Sequence, residues 1–416
     1  MNNTIKRSLA VLICLCLILP GSLTSVGASF WGELSPFEAV TESNALGSKI
    51  AGIINMLDSF MTFPYLDMEG KSVQSIAVEQ ILKVVLANKF MEVEDVYSNL
   101  EAQREKNADS RIEDYYAMLF DIDRYKYTYL FKDTEVSKSI EVGIFNDKPD
   151  EELTGDEEYI LYFHGGAFVD APLPFHYWFC SRLASELDAT VIMPMQLMAP
   201  EYTYTQSYEL SLALYEDIIK IINPDDLTLM GDSSGGNYVV SMGLQLRDND
   251  IALPSNIVAF SPWLHMSSND PDIIELSLSG IDPMIVYWAA AMKGACFAGV
   301  DISGITTKEQ AADLVMQIPE ENTYLNPYNG DFTGMPPISI FTGTHEVLLV
   351  DSRNFIEKME NQYGEDAVVR HMEGETWDGG DVMFHYYEYD GMNHTFPLFP
   401  IPESLQVINQ IAQVIE

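Results

Sequence analysis

The chain has 416 residues, 47% of them hydrophobic, so it can bury a large core; 63 acidic against 22 basic side chains leave a net charge of −41. That excess repels phosphate, which excludes nucleic acid as a partner and disfavours anionic membrane surfaces and anionic substrates. It reads as solvated acidic surface.

Lys6 and Arg7 precede an apolar run from Leu9 to Leu19, Pro20 and Gly21 end it, and Val26-Gly27-Ala28 follows with small residues. This pattern predicts a cleaved secretory signal over 1–28, a mature start near Ser29 and a secreted or extracellular protein. The run is shorter than the roughly 20 residues that span a bilayer, so no stable membrane span is expected after cleavage. Cys14 and Cys16 leave with the signal. Cys180 and Cys296 remain and read as buried thiols, forming neither a disulfide framework nor a metal-ligand set.

Residues 29–124 read as an N-terminal helical region, part of a cap. Over 71–90, Val73, Ile76, Ala77, Ile81, Val84 and Val85 recur at three-to-four spacing, and a second helix is predicted over Ala108–Phe120. The pattern changes at Tyr125. "YKYTYLF" and "SIEVGIF" predict a β-hairpin. Strands are then predicted at Tyr159–His164, Thr190–Met195, Leu227–Gly231, Asn256–Ser261, Ile338–Gly343 and Phe384–Asp390. Helices alternate with them at Trp178–Leu187, Ser207–Ile222 and Ser234–Arg247. Short apolar strands separated by helices imply a mostly parallel sheet covered on both faces. Residues 125–416 therefore form one α/β unit, interrupted over about 267–323 by a helical insertion.

Gly231-Asp232-Ser233-Ser234-Gly235 lies where a predicted strand ends and a helix begins. A serine at such a bend is exposed above the sheet at a helix N-terminus, the context of a nucleophile elbow. His164-Gly165-Gly166-Ala167 follows another strand; a glycine-rich loop can bring N–H groups close to a developing oxyanion. Gly165, Gly166 and Ala167 are the donors on that side and Ser234 on the other, with His164 organising the loop. A serine nucleophile needs a base, and His394 in "YEYDGMNHTF", after the last strand, has the right chain order. His385 falls inside a strand and reads as structural. Glu346 follows the strand end at Ile338–Thr342, where a carboxylate can orient an imidazole, whereas Asp351 reads as the cap of a helix beginning near Ser352.

In order, "YFHGGAF", "GDSSGG", "FSPWL", "NPYNGDFTGMPPISIFTGTHEVLLVDS" and "YDGMNHTF" resemble the hormone-sensitive-lipase-like branch of the α/β-hydrolases, from about Tyr125 to the C-terminus. The resemblance implies an α/β-hydrolase fold with a helical cap and a cofactor-free, metal-free esterase or lipase acting on a small-molecule ester. It implies Ser233 as nucleophile, Glu346 as acid and His394 as base. Three positions depart from the usual pattern. Ala167 replaces the third glycine of the loop, Ser234 replaces the alanine after the nucleophile, and Glu346 stands where aspartate is common.

The expected chemistry is acyl transfer to water through an acyl-serine. The aromatic groups of "FVDAPLPFHYWF", Phe168 among them, and Trp263 either line a pocket for an uncharged, moderately apolar ester or pack the cap. A secreted, non-catalytic binding protein on the same fold is the alternative, as is a carbohydrate deacetylase or peptidase. Oligomeric state is not legible in the sequence.

Overall fold

The computed structural model describes residues 71–86, 90–108, 110–146, 158–371 and 382–415. The signal expected over 1–28 lies outside them. Among the described residues three helices come first: α1 (Val73–Leu86), α2 (Val93–Asn107) and α3 (Asp114–Leu119). α2 was not singled out in the sequence, and the helix expected over Ala108–Phe120 shrinks to α3. In α2 only Val93, Val96 and Leu100 are buried apolar positions, and charged residues surround them, so its apolar stripe is thin.

The sheet follows. β1 (Asp123–Leu130) and β2 (Ser137–Phe145) form the expected antiparallel hairpin. Then come β3 (Tyr159–Phe163), α4 (Pro174–Leu187), β4 (Thr190–Pro194), α5 (Tyr204–Ile218), β5 (Leu227–Asp232), α6 (Ser234–Asp248) and β6 (Asn256–Phe260). The insertion contributes α7 (Pro271–Ser279), α8 (Tyr287–Phe297) and α9 (Lys308–Asp313). β7 (Ile338–His345), α10 (Leu349–Tyr363), β8 (Val368–His371), β9 (Phe384–Asn393) and α11 (Pro402–Ile415) complete the described chain. β8 is an addition to the expected strands. Its four residues are too few to show a period, and it lies at the sheet edge beside β9.

The strand order is β1-β2-β4-β3-β5-β6-β7-β9-β8, nine strands among the described residues, parallel from β4 to β8 and antiparallel at β1, β2 and β4. Strand periodicity sorts the core into two layers. Tyr159, Leu161 and Phe163 of β3 face a cluster with α5, α6, α8 and α10, while Ile160 and Tyr162 face the opposite cluster with α1, α3, α4 and α11. In β6, Ile257 and Ala259 join the first cluster, Val258 and Phe260 the second. With both faces covered, ligands reach such a sheet at the carboxyl ends of its parallel strands.

The two ends of the described chain meet. Glu403, at the start of α11, is fully buried and accepts hydrogen bonds from Ser72 N at 2.7 Å and Ser72 Oγ at 2.8 Å. Beside it Lys71 Nζ contacts Glu79 Oε2 at 2.8 Å and donates to Gly391 O at 3.1 Å, which holds α1 against the end of β9.

Candidate active site

β5 enters the bend at Ser233 and α6 leaves it, as the G-D-S-S-G spacing predicts. Ser233 has φ 55° and ψ −119°, a strained conformation for a residue with a Cβ. The surroundings hold it there. Ser233 N donates to Phe260 O at 2.8 Å, and Ser233 O accepts from Trp263 N at 3.1 Å and Asn237 N at 3.2 Å. Only glycine fits two residues on: a Cβ at Gly235 would lie 2.0 Å from the Phe163 carbonyl oxygen. Ser233 is half-buried between the buried Asp232 and Ser234.

The carboxyl ends of β7 and β9 bring Glu346 and His394 to the same turn. Glu346 is fully buried. Its Oε1 accepts from Thr342 Oγ1 at 2.6 Å and its Oε2 from Ser261 Oγ at 2.6 Å. His394 Nδ1 lies 3.6 Å from Glu346 Oε2, the distance of an ion pair rather than a hydrogen bond. Ser261 Oγ also accepts from Thr395 N at 3.0 Å. One hydroxyl thus fixes both Glu346 and the backbone beside His394, and the adjoining Phe260 carbonyl holds Ser233 N. Burial alone would lower the His394 pKa. Glu346, Asp282 and Asp232 outweigh it and hold the imidazole above its ordinary value.

Asp282, from the insertion, was missed in the sequence. Its Oδ2 accepts from Val347 N at 2.9 Å, directly beside Glu346, while Oδ1 accepts from Met284 N at 2.7 Å and Ile285 N at 3.0 Å. Burial pushes its carboxyl pKa up. An Asp-Pro pair before a helix was the available sign, but the sequence does not tell which strand end it reaches. Asp351 is not a helix cap. α10 already begins at Leu349, and the buried Asp351 carboxylate accepts from Leu264 N at 2.6 Å and His265 N at 3.0 Å, bracing the turn after β6. Burial raises its pKa to about 6.

The loop after β3 corrects one expected donor. Gly165 N donates to Asp232 Oδ1 at 3.0 Å, so this N–H is committed, and a Cβ there would lie 2.4 Å from Asp232 Oδ2. Gly166 and Ala167, with positive φ of 123° and 52°, are partly exposed and follow Gly165, which packs against Ser233. Ala167 therefore takes a left-handed conformation that glycine adopts without strain. The hydroxyl of Ser234 accepts from Phe168 N at 3.2 Å, an anchor that an alanine would lack. Asp232 also accepts from Tyr162 OH at 2.7 Å and faces His176 Nε2 at 3.3 Å. Burial would raise its pKa, but His176, Tyr162 and Gly165 together keep it below the ordinary value. His164 is fully buried, with Nδ1 2.6 Å from Gly165 O, and burial beside His176 lowers its pKa to about 4, as suits a loop organiser.

Phe168 and Trp263 are buried, their ring centroids 6.2 Å apart, and Phe168 stacks face to face on Phe297 of α8 at 4.3 Å. Both rings therefore help to pack the cap onto the loop. His385 pairs with His371 at 3.0 Å on β9 and β8, away from Ser233. Cys180 is buried and Cys296 only partly so. Among the described residues no cluster of three or more His, Cys, Asp or Glu side chains is placed to hold a metal, and no helix is long and apolar enough to cross a membrane.

The profile of the alpha/beta hydrolase fold matches residues 160–378. An esterase of Acinetobacter venetianus is 25% identical over 259 residues, covering 62% of this chain and 74% of that protein. Hormone-sensitive lipase of Homo sapiens is 26% identical over 171 residues, covering 40% of this chain and 16% of that protein. Among solved structures, a putative esterase from Staphylococcus aureus has a TM-score of 0.58 at 21% identity, covering 80% of this chain and 98% of that one.

Proposed function

Because the chain belongs to the α/β-hydrolases, in their hormone-sensitive-lipase-like esterase branch, and carboxylic ester hydrolysis is the activity of that family, we propose that it is a serine esterase working through Ser233, His394 and Glu346. The carrying observation is that the Phe260-Ser261 turn binds the Ser233 backbone N, the Glu346 carboxylate and the backbone N of Thr395, next to His394. His394 takes the Ser233 proton as the hydroxyl attacks the ester carbonyl. Glu346 holds the imidazole tautomer and stabilises the imidazolium that forms. The N–H groups of Gly166, Ala167 and Ser234 receive the oxyanion, with Gly165 removed from that set because Asp232 holds its N–H. The alcohol leaves, and water releases the acid from the acyl-serine by the same route.

The substrate in this reading is an uncharged, moderately apolar ester. The acidic chain repels carboxylate-bearing substrates, and the ground between Ala167 and α8 is aromatic. A p-nitrophenyl ester series tests the reading. Turnover of uncharged short and medium acyl esters, with fluorophosphonate labelling of Ser233, is the expected result. Preference for acyl groups bearing a carboxylate would reject the substrate class, and an unlabelled serine would favour a binding protein.

The electrostatics set the pH dependence. His394 must be neutral to accept a proton, and its carboxylate neighbours favour the charged form, so the acidic limb of kcat/KM should lie above the ordinary histidine value. Asp282→Asn removes one of those charges. It is expected to lower the His394 pKa and move the limb to lower pH, read from kcat/KM profiles of both proteins. A limb that stayed in place would exclude Asp282 from the site's electrostatics.

A further inference from the structure

The N-terminal helix α2 carries a polar stripe that none of the chemistry above uses. Asn99, Gln103 and Asn107 stand at intervals of four, on one face of the helix. Asn99 Nδ2 donates to Asp170 Oδ1 at 3.1 Å, Gln103 Oε1 accepts from Ala171 N at 3.2 Å, and Asn107 Nδ2 donates to Val169 O at 2.8 Å. All three partners are consecutive residues of the loop that carries Gly166 and Ala167. Asp170 N in turn donates to Gly166 O at 2.8 Å, so the clamped segment closes the turn that aims those N–H groups.

The cap grips the same carboxylate. Lys293 of α8, with a side chain 3% exposed, places Nζ 2.6 Å from Asp170 Oδ2. Tyr97 of α2 reaches the insertion as well, donating from its hydroxyl to Ile302 O at 2.5 Å. Helix, cap and loop thus meet at one half-buried aspartate beside the Phe168–Phe297 stack.

We propose that Asn99 and Lys293, which hold Asp170, and Gln103 and Asn107, which hold Ala171 and Val169 on either side of it, are positioning residues that set the geometry of the Gly166–Ala167 oxyanion donors. The N-terminal helix then belongs to the catalytic apparatus rather than only covering it. A preorganised donor pair loses rate when its support slackens, because small displacements of the donors weaken transition-state binding more than substrate binding.

The inference rests on the esterase reading, and the experiment separates the two. Active sites are titrated with a fluorophosphonate, and kcat and KM for p-nitrophenyl butyrate are measured per titrated site in the full chain. Lys293→Met is expected to lower kcat about tenfold with little change in KM. Lys293→Arg restores most of the rate, and Asn99→Ala gives a smaller fall of the same kind. A trifluoromethyl ketone, which forms an oxyanion on the serine, should bind the variants more weakly in parallel with kcat. A lower Tm with kcat per site and ketone affinity unchanged would leave these contacts purely structural and overturn the proposal. Should Lys293→Met fail to fold, the half-buried Asn99 variant carries the same test. A wild-type protein that neither labels nor turns over ester would instead reject the esterase reading, and the proposal with it.

Discussion

Replacing Ser233 by alanine is expected to lower kcat for a short p-nitrophenyl ester by roughly five orders of magnitude while leaving the fold in place. The loss is large because the acyl-enzyme route needs the hydroxyl; the donors that remain can still polarise a carbonyl but have no nucleophile to deliver. The fold should survive because the bend does not depend on that oxygen. Its anchors are backbone groups, Ser233 N on Phe260 O and Ser233 O under Trp263 N and Asn237 N, and the glycine at 235 that admits the Phe163 carbonyl. Circular dichroism and Tm close to wild type, with fluorophosphonate labelling gone, complete the expected result. Turnover undiminished in the purified variant would place the nucleophile elsewhere.

The second large effect is expected for Glu346→Gln, a fall in kcat of roughly four orders of magnitude. The two shapes match, so the change isolates charge and hydrogen-bond polarity. Glu346 receives hydroxyl protons from Thr342 and Ser261 and faces His394 Nδ1, a surrounding made wholly of donors. A glutamine must turn its NH2 toward some of them. In place of Oε2 it faces both Ser261 and His394, disturbing the link to Thr395 and favouring the tautomer that cannot take the Ser233 proton; in place of Oε1 it opposes the Thr342 hydroxyl. In either orientation the imidazolium loses its counter-charge. Asp351→Asn is the matched control. That carboxylate braces Leu264 N and His265 N, so its loss should appear as a lower Tm with the rate per titrated site largely kept. The opposite pattern, rate lost at 351 and kept at 346, would exchange the roles of the two acids.

The sequence disclosed those parts of the site that are built from contiguous residues. The elbow is one, because an apolar strand, the small residues of 231–236 and an amphipathic helix follow each other without a gap. His394, the proposed base, is another, since a histidine just past the last strand needs only chain order. What escaped depends on contacts between distant residues. Gly165 reads as an oxyanion donor because it belongs to the glycine run, yet its N–H is taken by Asp232, 67 positions away. Asp351 stands at the start of α10 and looks like a cap, but its carboxylate is turned toward the loop after β6. Asp282 gave no sign of its target, 65 positions on at Val347. α2 was passed over because Val93, Val96 and Leu100 make a narrow stripe, and its polar positions have meaning only against Val169–Ala171.

The junction of Ser72 with Glu403 spans 331 positions. A ribosome releases α1 long before the carboxylate that will receive it exists, so Val78, Ile81 and Leu82 of that helix must wait for their α11 neighbours Val407, Ile408 and Ile411. The sheet can assemble strand by strand meanwhile, but α1 cannot be fastened to α11 until α11 is free. Closure of this junction therefore waits until α11 has been made.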